Sequence, residues 1–331
     1  MGIDHYGSSD VLDDPYSVPN KKIYGGGIHM ENNKGILLES GTNELEIIEF
    51  TVGENNFGIN VAKVREIMPY ESVTKVPNSH PCIRGIFKPR ESIITVVDLP
   101  KYLGMPVSKD EKKDMFIIAN FNKLYIAFQV QGVVGIHRIS WTQIEKPDQT
   151  IFGGKEGLAT GIVKLNDRLI MILDFEKIIA DISPQTGIQL SEIDRMGPRQ
   201  RSNKPIVIAE DSDLLAKMLQ EALTKAGYSN LTITSNGQEA WNVLENIKKS
   251  GAKLAEKAAC LITDIEMPQM DGHHLTKLVK EDEYLKQLPV VIFSSLINNE
   301  MEKKGQSLGA DAQITKPEIG NLVSLIDKLI L

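Results

Sequence analysis

Ile206-Val207-Ile208-Ala209-Glu210-Asp211 is a run of four apolar residues that ends abruptly in two carboxylates. A continuous apolar run of this length suits a strand covered on both faces. The grammar then repeats down the chain. An amphipathic stretch over 214–226 stops at Gly227. Strands are expected over 231–234, 259–263, 290–293 and 312–315, alternating with helices over 238–249, 272–280, 300–308 and 319–330. Five strands alternating with five helices imply a parallel sheet with helices on both faces. Ligands of such folds gather beyond the carboxyl ends of the strands.

Polar residues stand at those ends. Glu210 and Asp211 follow the first strand, Asp264 the third, Ser294 the fourth and Lys316 the fifth. Three crowded carboxylates repel one another unless a cation sits among them. Mg²⁺ suits the set, being a hard cation that takes oxygen ligands and keeps several waters. Such a metal would offset the charge of an incoming phosphoryl group and leave Asp264 as the nucleophile. Lys316 would pair with one phosphoryl oxygen as a point charge, and Ser294 would donate a hydrogen bond to another. Taken singly, an Asp or Ser after a strand is more often a helix cap, and a lysine is more often solvated. The joint placement is the specific signal.

Upstream the texture differs. Over 45–179 short runs rich in Val, Ile and Phe alternate with turn residues, as in hairpins. The region repeats itself: Gly85-Ile86-Phe87-Lys88 leads to Val97-Asp98-Leu99, and Gly161-Ile162-Val163-Lys164 leads to Leu173-Asp174-Phe175, 76 residues later in each case. A looser match sets Phe57-Gly58-Ile59 against Tyr125-Ile126-Ala127. Two such β units, each running into a short helix after its Asp, suggest two small barrels packed together. Chance similarity between two hairpins is the bland alternative. The expected organisation is a flexible tail over 1–43, a β domain over 44–182, a linker rich in Pro, Gly and charge over 183–203, and the α/β domain over 204–331.

The 331 residues suffice for two domains, and 41% hydrophobic with 24% charged residues is a globular balance. A formal net charge of −7 without a basic block disfavours nucleic acid and anionic membranes as partners. No apolar run approaches the ~18 residues of a membrane span, so no direct membrane insertion is expected. Cys82 and Cys260 lie in different expected domains, which reads as free thiols in a reducing cytoplasm.

Residues 205–331 resemble a response-regulator receiver domain. The carriers are Glu210-Asp211, the run Asp264-Ile265-Glu266-Met267-Pro268-Gln269-Met270-Asp271-Gly272, Ser294-Ser295 and Lys316-Pro317. The resemblance implies a CheY-like sheet of order 2-1-3-4-5 and phosphorylation on Asp264. It further implies Mg²⁺ held by Asp211, Asp264 and the backbone carbonyl of Glu266, with Glu210 helping through water, and a cis peptide before Pro317. Gln313 stands where the family usually carries an aromatic switch residue. The Glu266 side chain, two residues after Asp264, is expected at the mouth of the site, where its charge would slow hydrolysis of the phosphorylated state; pointing to solvent is its bland alternative.

Residues 44–180 resemble the CheW-like coupling domain, on Phe50–Ile59, Val64-Arg65-Glu66-Ile67, Val76-Pro77, Ile83-Arg84-Gly85-Ile86 and Val96-Val97-Asp98-Leu99. Arg90 falls where that family has an Arg-Gly pair, with Glu91 in place of the glycine, and is implied to lie near a partner contact. The Arg138-Ile139-Ser140-Trp141 run is also similar, although Trp141 alone could be a buried anchor. Coupling domain followed by receiver resembles the CheV hybrid adaptors. The resemblance implies a chemotaxis adaptor between chemoreceptors and the histidine kinase CheA, working at membrane-bound receptor arrays and in adaptation. It implies no enzyme beyond self-assisted phosphoryl transfer. A phosphate sink that drains the kinase is the alternative. A kinase lacks its Gly-rich nucleotide domain here, a transcription factor lacks a helix-turn-helix, and a hydrolase of the Asp-x-Asp class is matched only faintly by Asp264-x-Glu266. His273 and His274, at an expected helix start, need no role beyond solvation.

Overall fold

The computed structural model describes residues 23–24, 27–29, 43–90, 92–121, 124–146, 158–297 and 299–331. The β domain holds β1 (Ile23–Tyr24), β2 (Gly27–His29), β3 (Glu44–Val52), β4 (Asn55–Asn60), β5 (Val64–Pro69), β6 (Ile83–Phe87), β7 (Ile94–Asp98), β8 (Met115–Phe121), β9 (Leu124–Val130), β10 (Gly132–Ser140), β11 (Ala159–Leu165) and β12 (Arg168–Leu173). Two short helices, α1 (Leu99–Tyr102) and α2 (Phe175–Ile182), follow β7 and β12. Five strands order as β5-β8-β9-β7-β6 and five as β10-β3-β4-β12-β11. Each sheet curls on its own apolar centre, Met68, Val96 and Phe116 in one and Ile47, Trp141 and Ile170 in the other. A third core, with Phe50, Phe57, Phe121 and Phe128, joins the two sheets, and Phe175 of α2 plugs it with its ring 4.7 Å from that of Phe128.

The 76-residue repeat is physical. Asp98 accepts the Lys101 N–H at 3.0 Å to cap α1, and Asp174 accepts the Lys177 N–H at 2.9 Å to cap α2. The hairpins exchange partners, however. The early β7 pairs in parallel with the late β9, and the late β12 with the early β4. In this pairing Phe57 faces Met171 and Ile126 faces Thr95. Phe57 thus corresponds to Ile126, one residue on from the Tyr125 match read in the sequence, and a slip of one residue exchanges the two faces of a strand.

Most of the expected tail lies outside the described residues. Within it, Ile23–Tyr24 and Gly27–His29 form a small hairpin on the edge of the first sheet, with Ile28 opposite Ile67. Hydrogen bonding to the exposed edge of β5 holds this piece in place of a free tail. Residues 183–203 join the domains and are themselves folded. α3 (Leu190–Arg195) buries Ile193, with Ile188 before it, against the α/β domain.

The α/β domain holds β13 (Ile206–Ala209), β14 (Leu231–Thr234), β15 (Cys260–Thr263), β16 (Val290–Ser294) and β17 (Ala312–Thr315). Its helices are α4 (Asp213–Lys225), α5 (Gly237–Lys249), α6 (Leu254–Lys257), α7 (Gly272–Glu281), α8 (Asn299–Ser307) and α9 (Ile319–Ile330). The sheet is parallel, in the order β14-β13-β15-β16-β17. Alternate residues of β13 serve opposite faces: Ile206 and Ile208 meet Leu219 and Val323 of α4 and α9, and Val207 and Ala209 meet Leu244 and Leu275 of α5 and α7. The short α6 had no periodic signal in the sequence.

Neither cysteine forms a disulfide; Cys82 is half-buried and Cys260 fully buried on β15. Burial pushes the Cys260 thiol up to about 12. In a titration with an aromatic disulfide reagent, Cys82 should react in the native protein and Cys260 only at the rate of unfolding. Equal rates would contradict this placement of β15.

Candidate functional site

The carboxyl ends of β13, β15, β16 and β17 converge as the sheet order dictates. Glu210, Asp211 and Asp264 each place one carboxylate oxygen within 4.8 Å of the others. Lys316 Nζ lies 2.8 Å from both Asp264 Oδ2 and Glu210 Oε2. The Ile265 N–H donates to Asp264 Oδ1 at 2.6 Å, leaving the phosphoacceptor candidate fixed at both oxygens. The Lys316-Pro317 peptide is cis. Ser294 is fully buried at the end of β16, and its hydroxyl accepts the Leu296 N–H at 3.2 Å. Gln313 is tied away from the site, donating to the Glu302 carbonyl at 2.6 Å.

Electrostatics at this edge favour a cation. Burial pushes Glu210 up to about 8 even against Lys316, with Asp264 and Glu176 adding repulsion. Burial also raises Asp211 well above the usual carboxylate range, with Glu210 and then Asp264 contributing. Burial would lower Lys316, but Asp264, Glu176 and Glu210 outweigh it and raise it. Lys316 and Lys63 supply two positive charges against the five carboxyls of Glu176, Glu210, Asp211, Asp264 and Glu266. An all-oxygen donor set of this kind fits Mg²⁺.

Two residues sit differently from the sequence reading. The Glu266 side chain neither repels at the mouth of the site nor points to solvent. Asn60 Nδ2 donates to it at 2.6 Å and Lys63 Nζ pairs with it at 2.5 Å, both from the other domain. Lys63 cancels the charge on which the slow-hydrolysis reading rested. His273 is not solvated: it is 2% exposed, and burial lowers it to about 3, so it is a neutral residue of the α7–α8 contact. Asp271 caps α7 through the His274 N–H at 2.8 Å, which turns His273 inward. Arg90, read as near a partner contact, has its side chain 60% exposed and 3.5 Å from Glu66 of β5.

Sequence reasoning missed the residues that the β domain brings to this edge. The 3₁₀ turn Val61–Lys63 and the first turn of α2 lie over it. Glu176 accepts a hydrogen bond from Ser295 Oγ, with Lys63 Nζ at 3.2 Å and Lys316 Nζ at 3.6 Å. Asn43 Nδ2 donates to the Gln269 carbonyl at 2.7 Å, and the Gln269 N–H donates to the Trp141 carbonyl at 3.0 Å. Trp141 is thus a buried anchor whose backbone also holds the loop after Asp264. One signal was available for Glu176: the first copy of the repeat has Pro100 where the second has Glu176, although the flanking Asp and Lys match.

The CheW-like domain family matches residues 46–183, and the response regulator receiver domain family matches residues 206–327. Chemotaxis protein CheV3 of Helicobacter pylori is 30% identical over 300 residues, covering 87% of this chain and 95% of that one. Chemotaxis protein CheV2 of the same organism is 29% identical over 289 residues, covering 82% and 89%. Chemotaxis protein CheW of Thermotoga maritima is 30% identical over 151 residues, covering 46% of this chain and 98% of its own. Both domains are therefore accounted for, in one order and along nearly the whole of a relative, and the chain belongs to the CheV family of chemotaxis proteins, a CheW-like domain joined to a receiver.

Proposed function

We propose that this chemotaxis adaptor couples chemoreceptors to the histidine kinase CheA and is regulated, in adaptation, by phosphorylation of Asp264. The observation that carries the reading is the convergence of Glu210, Asp211 and Asp264 with Lys316 between two of them. Asp264 supplies the attacking oxygen. Lys316 can release a carboxylate and follow a phosphoryl oxygen, since its stem is flexible and its charge compact. Mg²⁺, held by Asp211, Asp264 and the Glu266 carbonyl with Glu210 outside them, would screen charge as the phosphoryl group arrives. The protein is no enzyme in this reading, because the product stays on its own side chain. Direct contact between the receiver site and the coupling domain supports a regulated coupler, for a sink needs no such contact.

Phosphotransfer from CheA tests the assignment. Label should appear on the wild type in the presence of Mg²⁺, disappear when the metal is chelated, and be absent from Asp264→Asn. Label persisting on that variant would place the acceptor elsewhere. Receptor-array recruitment should survive in Asp264→Asn, because Asp264 belongs to the receiver rather than to the coupling surface.

A further inference from the structure

Glu176 belongs to the coupling domain yet sits where the receiver would hold an anion. Its carboxylate takes the Ser295 hydroxyl and lies 3.6 Å from Lys316, the lysine that also holds Asp264 at 2.8 Å. A phosphoryl group on Asp264 presents three acceptor oxygens and about −1.5 to −2 charge to the same lysine and the same strand end. Asp264 is meanwhile 4% exposed, with Glu176 and Lys63 of the docked domain set over the same strand end.

We propose that Glu176 is an internal ligand of the phosphoryl site, so that docking of the coupling domain and phosphorylation of Asp264 exclude each other. The proposal rests on Asp264 being the phosphoacceptor. Undocking admits the donor, and the phosphoryl group, once attached, keeps Glu176 out by charge and by taking its partners.

The surroundings support this. Burial would raise Glu176, but Lys316 and Lys63 outweigh it and lower it to about 2, so an anion occupies the site throughout the physiological range. Lys63 serves both sides: 2.5 Å from Glu266 of the receiver and 3.2 Å from Glu176, with its ammonium 5.3 Å from the centre of the Phe121 ring. Besides Glu176 and Glu266, the carboxyls of Glu210, Asp211 and Asp264 crowd these two lysines. Asp174, which caps the helix bearing Glu176, adds its charge at Asp211. Further negative charge at Asp264 makes the docked state the less favourable one. Apolar contact accompanies these polar ones: Ala62 packs against Ile265, Leu296 and Met301, and Ile179 and Ala180 line a pocket with Leu215 and Pro317.

The consequence is directional. The loop after Asp264 is gripped through the Gln269 N–H on the Trp141 carbonyl and the Asp271 N–H on Asn43 Oδ1, at 3.0 and 3.3 Å. Phosphorylation frees these contacts together with the Val61–Lys63 turn and the start of α2. A coupling-domain face that is covered in the docked state then becomes available.

The test uses the full chain, Mg²⁺ and a small acyl phosphate as donor. An Asp264 carboxylate oxygen forms the new bond to phosphorus while the bond from phosphorus to the donor's acyl oxygen breaks, and the donor leaves as a carboxylate. Glu176→Gln keeps the shape but removes the charge, and Lys63→Gln removes its partner. Each should speed labelling about tenfold, the equivalent of one charge-assisted hydrogen bond. In each, the Gln269 and Asp271 amides should exchange faster with deuterium before any donor is added, and phosphorylated wild type should match them. Labelling and exchange both unchanged in the variants would overturn the proposal, as would either readout moving without the other. No label on any of the three proteins would overturn the phosphoacceptor reading and this inference with it, whereas equal labelling of all three overturns the inference alone.

Discussion

Gly272→Ala should destabilise the receiver by about 3 kcal/mol or more, enough to lower its melting temperature by roughly 10 °C. A Cβ at this position would lie 1.8 Å from the Asp264 carbonyl oxygen and 2.9 Å from Thr263 Oγ1. The first neighbour is backbone and cannot rotate away. The Gly272 N–H donates to the Ile265 carbonyl at 2.9 Å, so the start of α7 is drawn against the very turn that carries the acceptor. Relief therefore requires α7 to back off, with loss of the Asp271 cap, or Asp264 to move away from Lys316. Either displacement also slows phosphotransfer. Gly104 provides the control. It has a φ of +69° but nothing within 4 Å of its added Cβ, so Gly104→Ala should lose only the ~1–2 kcal/mol of a left-handed residue with a side chain. Thermal melts of the two variants beside wild type would decide. A Gly272→Ala protein as stable as Gly104→Ala would mean that α7 does not approach the strand end this closely.

The parts of the molecule that could be read from sequence are those with a local signature. Ile206–Ala209 announces a buried strand because each residue needs an apolar partner on one face or the other. The repeat ending in Asp98 and Asp174 is legible because a capping Asp after a strand is a short-range device. The placement of Glu210, Asp211, Asp264 and Lys316 follows from parallel order alone, since every strand must end on the same edge. Glu176, Lys63 and Asn60 carry no such mark. An acidic residue in the first turn of a helix is adequately explained by the helix dipole. A lysine and an asparagine beside a turn are adequately explained by water. Their role arises from a contact between residues 206 positions apart for Asn60 and Glu266, which no window of sequence contains. His273 failed for a related reason: helical periodicity places it near the apolar face, but its polarity argued for the surface. The exchange of β7 and β12 between sheets was hidden because each hairpin satisfies its own local pattern whichever neighbour it pairs with.

Lys316→Ala should make the receiver depend on Mg²⁺ for its stability at neutral pH. The substitution removes the ammonium that lies 2.8 Å from Asp264 and from Glu210 and leaves their carboxyls buried together with Asp211. Breaking a buried pair from one side typically loses about 3–5 kcal/mol, and protonation of the abandoned carboxyls is the escape. That escape fixes the sign of the pH dependence. In the wild type burial already raises Glu210 to about 8, above the ordinary range of an unfolded chain. Where the folded state binds more protons than the unfolded one, stability falls as pH rises. Between about pH 6.5 and 8 the unfolded carboxyls are already ionised, and His273, lowered to about 3 by burial, opposes the slope only weakly as its unfolded counterpart loses its last protons just above 6.5. Glu176, lowered to about 2, is ionised in both states over the same window and contributes no slope. Metal-free wild type should therefore lose about 1 kcal/mol per pH unit or more there, since Asp211 is raised beside Glu210, and Lys316→Ala more steeply, because a further carboxyl takes up a proton. Mg²⁺ at millimolar concentration should flatten both slopes and restore most of the variant's lost stability, since it replaces the missing positive charge without needing the proton. Urea unfolding at pH 6.5 and pH 8, with the metal and with a chelator, reads all four conditions. A variant whose stability rises with pH, or ignores the metal, would show that Lys316 is not the counter-charge of these carboxyls.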